Sequence, residues 1–400
     1  MRRAIALGML LGIAGCDDTC PVFERTGREF TAPSLFASSD DALLIWDQAD
    51  YDAGATTIRT RLAHIDGQTG AFAPFATIDP VTWRLLVPSA TGTAFLAGGL
   101  DDAGRWYLQA VTSDGLVEPR VVTDRVDEIG GGVPTPDGFL IGARLGTQLQ
   151  ILVVDAHGAV RSTTKVQVGS RPDVDRSLKV GRVGDQVWYV YDIANPAMPF
   201  GVGGPIDAVR TDLQGAVIDA APLHIAPGDS GVQGIVGADD QGFIVLGDGA
   251  SGNIALVRID ATGVGPTQLR PDLTPLDGMG QPSSGAGGPP RAFAGAGYLI
   301  GGNWVGRDGT NLGPRAIATS GPPNPPQYDP ASSAGLVAFG DRGIEAYREA
   351  GGSPAADGEV TDRFWVRTVA FNAPAAAFVE AASATRGTRV VGSMACPSYD

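Results

Sequence analysis

The chain has 400 residues, 57 of them glycine and 29 proline, and a net charge of −15 at neutral pH. A charge this negative excludes the basic stripe that nucleic acid requires. It also repels anionic headgroups, so any hold on a membrane must come from something other than the protein surface.

The chain opens with Arg2 and Arg3, an apolar run over 4–13, the small pair Ala14-Gly15, and Cys16. A positive start, a short apolar core and small residues before a cut are the parts of a secretory signal. The core is too short to span a bilayer, which takes about 20 residues. Ile13-Ala14-Gly15-Cys16 resembles the signal of bacterial lipoproteins. That resemblance implies that residues 1–15 are removed and that Cys16 carries lipid. Several acyl chains anchor a protein stably without a transmembrane helix, so the membrane is a partner through lipid alone. Asp17 and Asp18 resemble an inner-membrane retention signal of enteric bacteria, but the rule transfers poorly to other lineages. The expected location is the cell envelope, at an outer membrane or cell surface rather than an inner membrane.

With Cys16 given to lipid, Cys20 and Cys396 remain. An oxidising compartment favours a disulfide between them. It would close a loop of nearly the whole chain, an effect of about 5–6 kcal/mol in the chain-entropy picture. It requires the two termini to meet.

Beyond residue 30 the apolar residues come in short runs or alternate, separated by glycine and turn residues, which predicts many short strands. Tight turns followed by apolar strands recur around Phe95, Phe139, Val187, Phe243 and Tyr298, roughly every 44 to 56 residues. An earlier copy lies at 40–45 and later ones at 335–339 and 343–347. A second repeat falls between these: Asp155 with Gly158, Asp212 with Gly215, Asp260 with Gly263, and looser copies at 64–70 and 110–117. The aspartate can accept from backbone amides within a turn. The glycine supplies the positive φ that closes it. These residues are therefore expected to be structural hairpin turns.

Two hairpins per unit mean four strands per unit, which resembles the blades of β-propellers in general. The repeat lacks the recurring Trp-Asp dipeptide of WD40 repeats, the kelch double glycine with spaced aromatics and the sialidase Asp-box aromatic. The expected fold is all-β, a β-propeller of seven four-stranded blades, with six or eight as alternatives. The units are 33–79, 80–124, 125–170, 175–226, 230–274, 285–327 and 333–381. The expected domains are a signal at 1–15, a lipid-anchored segment and closing strand at 16–32, and the propeller at 33–396. Strands at 22–30 and 388–392 are left over to close the ring.

In such blades the two hairpin turns share one face, and the longer connections share the other. Long connections are expected at 46–57, 100–105, 192–207, 303–315 and 348–363, and loops gathered on one face are where binding is usually built. The candidate ligand-binding face comprises Trp46, Asp47, Tyr51, Asp101, Asp102, Arg105, Trp304, Arg307 and Asp308. Aromatics interleaved with acids suit a protein, peptide or glycan ligand.

The catalytic inventory is thin. The histidines are His64, His157 and His224, and neither a Gly-x-Ser-x-Gly elbow nor a phosphate loop occurs. No catalytic residue, cofactor or metal ligand set is assigned. Calcium held by acidic loops is the one metal that the residues admit. The expected function is a monomeric, lipid-anchored binding or scaffold module. A propeller-type hydrolase or lyase using loop carboxylates, and a purely structural envelope component, are the alternatives.

Overall fold

The computed structural model describes residues 19–37, 41–52, 55–78, 83–92, 94–100, 105–112, 115, 117–123, 126–170, 178–197, 204–228, 230–248, 253–273, 291–293, 295–314, 333–349, 358–373 and 376–395. Among these residues the protein is a β-propeller of antiparallel strands that fall into four-strand groups.

The first group is β1 (Thr19–Ala37), β2 (Ala42–Asp52), β3 (Ala55–Ile65) and β4 (Phe72–Ile78). The second is β5 (Trp83–Pro88), β6 (Phe95–Leu100), β7 (Trp106–Val111) and β8 (Val121–Val122), and the third is β9 (Glu128–Thr135), β10 (Gly138–Leu145), β11 (Gln148–Asp155) and β12 (Val160–Gln167). The fourth is β13 (Lys179–Val183), β14 (Gln186–Asp192), β15 (Ile206–Thr211) and β16 (Leu223–Ala226), and the fifth is β17 (Ser230–Ala238), β18 (Gln241–Asp248), β19 (Ile254–Asp260) and β20 (Gly263–Arg270). The sixth is β21 (Arg291–Phe293), β22 (Gly297–Ile300), β23 (Asn303–Gly306) and β24 (Asn311–Pro314), and the seventh is β25 (Ser333–Phe339), β26 (Arg342–Glu349), β27 (Glu359–Ala370) and β28 (Val379–Ala395). Groups two to six are separate four-stranded sheets, whereas groups seven and one share one eight-stranded sheet through β28 and β1.

Alternation of side chains along each strand gives every group two apolar faces, and each face is covered by a neighbouring group. Leu43, Ile45 and Leu62 of the first group pack with Leu86, Phe95 and Ala97 of the second. The series continues around the molecule. Between groups seven and one, Phe30 stacks on Phe364 with ring centroids 4.8 Å apart, and Trp46 meets both rings edge-on. The first strands of successive groups also touch in order, from β1 through β5, β9, β13, β17, β21 and β25 back to β1.

The segments 22–30 and 388–392, expected as separate closing strands, are continuous with β1 and β28. The expected boundary at 32/33 therefore falls inside β1. The two strands pair from Thr19↔Ala395 to Gly27↔Arg386, and β1 then changes partner to β2 from Gly27↔Tyr51 onward. Gly27 sits at that change with φ +83°, and a Cβ there would lie 2.4 Å from the Thr385 carbonyl oxygen. Residues 16 and 396 lie outside the described residues. Cys20 lies in β1, its Cα opposite Met394.

The third-to-fourth turns of the third and fourth groups share one geometry, and that of the fifth is a tighter hairpin in which Asp260 pairs with Gly263, whose φ is +142°. Asp155 Oδ1 accepts from the amides of His157 and Ala159, both at 2.9 Å, and Asp212 Oδ1 accepts from Gln214 and Ala216 at the same distance. Asp260 Oδ1 accepts from the amides of Thr262 at 2.8 Å and Gly263 at 3.3 Å. Gly158 and Gly215 have φ of +83° and +84°. Hydrogen bonds from the hydroxyl and amide of Thr262 hold the Asp260 carboxyl below the usual range.

A Cβ on Gly215 would lie 2.9 Å from Val153 Cγ2 and 3.1 Å from Leu140 Cδ2, side chains of the preceding group. Gly146 also has positive φ, but a Cβ there would meet nothing within 4 Å. Gly146→Ala should therefore lose about 1 kcal/mol, the backbone cost alone. Gly215→Ala should lose about 2–3 kcal/mol, because overpacking is added. Denaturant midpoints of the two variants measure the difference, and equal losses would remove the inter-group contact as its cause.

Candidate functional site

The strand directions fix two faces. Turns from first to second and from third to fourth strand lie on one, here the turn face. The second-to-third connections and the links between groups lie on the other, the loop face.

The turn face is occupied by contacts between neighbouring groups. Arg210 makes a two-pronged pair with Asp219, at 2.5 and 2.8 Å, and also donates to the carbonyl of Ala261 in the next group's turn at 3.3 Å. Gln186 donates to the same carbonyl at 3.2 Å. Arg270 pairs with Asp272 and donates to the Gly309 carbonyl of the sixth group's turn. His157 Nδ1 lies 3.0 Å from Glu118 Oε1 of the second group.

The seven described residues of the expected binding face are not brought together. Trp46 is 5% exposed and Trp304 is 3% exposed. Trp46 belongs to the core between groups seven and one, and Trp304 packs against Phe293 and Phe371. Both were expected on loops; both lie on strands whose neighbours bury them. The expected loop 303–315 is β23, a tight turn and β24. The reason is Gly301-Gly302, whose φ values of +58° and +79° make a two-residue hairpin on the loop face. Arg307 and Asp308 consequently stand on the turn face. Arg307 pairs there with Asp239 at 3.2 Å and Asp240 at 3.4 Å, and Asp308 Oδ1 accepts from the Thr310 amide at 2.9 Å. Asp101 and Asp102 lie outside the described residues. Arg105 is exposed at the start of β7 on the loop face.

Asp47 and Tyr51 lie on β2 where β2 and β3 run past the ends of most other strands. The expected loop at 46–57 is largely this paired hairpin, with Asp52 opposite Ala55. Asp47 accepts from the Thr60 hydroxyl at 2.7 Å, and burial outweighs that bond and raises its pKa. Tyr51 donates to Glu29 Oε2 at 2.7 Å. Burial opposes ionisation of Asp50, yet Arg28 at 2.7 Å and Gln48 hold its carboxyl below the usual range.

A different set of polar groups meets on the loop face, where the third and fourth groups touch. Glu128 at the start of β9 stands opposite Arg144 of β10. Arg144 is 0% exposed and Glu128 is 5% exposed. Arg144 reaches into the fourth group, donating to the carbonyls of Asp192 at 2.9 Å and Gly169 at 2.5 Å, with its guanidinium over the Tyr191 ring. Glu128 Oε1 accepts from the Leu178 amide at 3.0 Å. Across β14, β15 and β16 a ladder of Tyr191, Asp207 and His224 crosses the fourth group, with His224 Nδ1 3.1 Å from Asp207. Among the described residues, Glu128 Oε2, Asp192 Oδ1 and the Tyr191 hydroxyl are buried without a hydrogen-bond partner. No group of three histidine, cysteine, aspartate or glutamate side chains among the described residues is arranged to hold a metal.

Glu128, Arg144 and Tyr191 escaped the sequence reading because they sit inside apolar strands. The available signal was a charge on β10 in register with Leu140, where alternation calls for an apolar residue.

No family model and no curated protein matches the sequence. Solved structures with similar folds include the β-propeller domain of the Trilobed protease from Pyrococcus furiosus. It is 6% identical, with 85% of this chain and 81% of that one covered and a TM-score of 0.38. The acylaminoacyl peptidase of Pyrococcus horikoshii is 8% identical, with 89% and 52% covered and a TM-score of 0.48. A prolyl endopeptidase structure is 13% identical, with 86% and 53% covered and a TM-score of 0.40. The chain spans about half the length of these two peptidases. The likeness is one of fold.

Asp192 gives the cluster a pH signature. Burial raises its pKa to about 6, against the opposing charges of Arg144 and Lys179 and with help from Glu128. A carboxyl whose folded pKa exceeds its unfolded value contributes stability that is complete below about 3.8 and lost as pH rises through about 6. Asp192→Asn should remove this slope and raise stability near pH 7 by about 1–3 kcal/mol. Urea midpoints of both proteins between pH 4 and 7 test it, and parallel profiles would refute it.

Proposed function

We propose that the chain is an exported, lipid-anchored β-propeller of seven blades, closed at the β1–β28 seam, that works as a binding module on the cell envelope. Its ligand is taken on the loop face, where the third and fourth groups meet. The observation that carries this reading is the gathering of Glu128, Arg144, Tyr191 and Asp192 at that junction, with two carboxylate oxygens and a hydroxyl left unpaired among the described residues. Buried polar atoms are nearly always satisfied, so unpaired acceptors beside fixed donors suit a hydroxyl-rich ligand. A glycan fits that chemistry ahead of a peptide or protein.

The experiment is a glycan and peptide array probed with the full-length protein. Glu128→Gln and Asp192→Asn should weaken glycan binding at least 10-fold, about 1.4 kcal/mol. Arg307→Gln on the turn face should leave it unchanged. Binding that ignores both loop-face variants, or binding to peptides alone, would overturn the assignment.

One observation favours a second reading, a propeller-type hydrolase. A carboxyl protonated to about pH 6 is suited to donating a proton to a leaving group. Turnover of a glycoside or ester panel that disappears in Asp192→Asn would select this reading over simple binding.

Anchoring rests on the sequence of residues 1–16. Cys16→Ser should move the protein from the membrane to the soluble fraction. The pairing of β1 with β28 supports the Cys20–Cys396 disulfide only by bringing the two chain ends together, since Cys20 itself lies opposite Met394. The intact protein should then run faster on a non-reducing gel than on a reducing one, and Cys396→Ser should abolish the shift.

A further inference from the structure

We infer that the paired ends of β1 and β28 form a stalk that turns the loop face toward the bilayer and the turn face away from it. The inference rests on lipid at Cys16, as proposed above. It adds the orientation, which the anchor alone does not give.

The direction follows from strand order. β1 ends at Ala37, before the first turn of its group, so its N-terminal end points the opposite way, out of the loop face. β2 reaches its hairpin at Asp52, and β1 at Gly27 is opposite Tyr51 near that hairpin. Residues 19–26 therefore continue beyond the hairpin in the same direction. β28 does likewise. It leaves β27 at Gly387↔Glu359 and runs on to Ala395 against β1. At about 3.4 Å per residue, the eight residues of β1 past Gly27 add roughly 27 Å.

The ribbon also sets the distance from the membrane. Only residues 17 and 18 separate Cys16 from β1, so the spacing is set by paired strands rather than by a flexible linker.

Side chains brace the ribbon and its base. Arg389 donates to Glu24 Oε2 at 2.8 and 2.9 Å, Arg386 pairs with Glu29 at 3.1 Å, and Arg28 pairs with Asp50. Carboxylates on the turn face are answered by arginines of the same face, Asp155 by Arg161 and Asp239 and Asp240 by Arg307, so the orientation rests on strand direction rather than on charge.

The test is energy transfer from the full-length lipidated protein to a headgroup dye in vesicles of phosphatidylethanolamine and phosphatidylglycerol. The donor is attached through a ketone-bearing amino acid at Thr57 in the β2–β3 hairpin, at Gln68 in the turn face of the same group, or at Gln214 in the turn face of the fourth. All three positions are exposed. Thr57 and Gln68 flank the length of β3, so they differ in height by about 30 Å. Transfer should be strongest from Thr57 and weaker from both turn-face sites. Equal transfer, or stronger transfer from Gln68 and Gln214, overturns the orientation while leaving the anchor intact. A Cys16→Ser chain that stays with the membrane overturns the anchor, and the stalk role with it, however the labels rank.

Discussion

In the first, second, third, fourth and sixth groups the third-to-fourth turn sets its glycine against the group before it, and those contacts help to fix how neighbouring groups meet. Gly115 lies on the Phe75 carbonyl, Gly158 on Ala110 and Leu96, Gly215 on Val153 and Leu140, and Gly309 on Phe243. Gly70 lies within 4.0 Å of Val366, which carries the same relation from group one back to group seven. At Gly115 and Gly215 glycine is required for two reasons at once, a positive φ and a Cβ that would fall within 3 Å of the neighbouring group, whereas Gly263 meets nothing within 4 Å. Asp66, Asp155 and Asp212 hold their turns rigid by accepting two amides each. Interiors packed at this density transmit position, so these contacts help to define how one sheet sits on the next.

A face used in this way is closed to other work. Carbonyls of the turns are capped by Arg210, Gln186 and Arg270 from the preceding group, and Arg307 is occupied by Asp239 and Asp240. On the opposite face strands end at different heights and polar side chains emerge between groups. Arg144 illustrates the consequence. It is rooted in the third group, but its hydrogen bonds fall on carbonyls at 169 and 192, so a charge in one sheet is held by the backbone leading into and out of the next.

The turn chemistry was legible in the sequence because it is local. Asp155 and Gly158 are three residues apart, and their hydrogen bonds span two to four, so the motif carries its own geometry. The four-strand period followed from it. What sequence could not carry was contact between groups. Trp46 and Trp304 sit beside polar residues in the chain, yet Phe30 and Phe364 cover one and Phe293 and Phe371 the other. Glu128 and Arg144 read as interruptions in apolar strands, because the amide and carbonyls that meet them come from as far as 50 positions away. Gly301-Gly302 was visible but ambiguous: two glycines mark a turn without saying which face it serves.

The seam concentrates the energetic question, since it joins positions more than 360 residues apart in sequence. Loop closure grows only with the logarithm of length, so bringing these ends together costs about 5 kcal/mol. Burying large apolar side chains contributes roughly 1.5–3 kcal/mol each. Phe30, Trp46 and Phe364, stacked in one cluster, are thus of the same size as the closure cost before any hydrogen bond of β1 and β28 is added. Asp362, 0% exposed, accepts from the Phe30 amide at 3.2 Å and fixes the height at which β1 enters that cluster. Packing at the base of the ribbon therefore offsets ring closure without a covalent link. Among the described residues the ladder ends at Thr19↔Ala395, beyond the packed base, so fraying of the ribbon begins at that tip and leaves the cluster of Phe30, Trp46 and Phe364 intact.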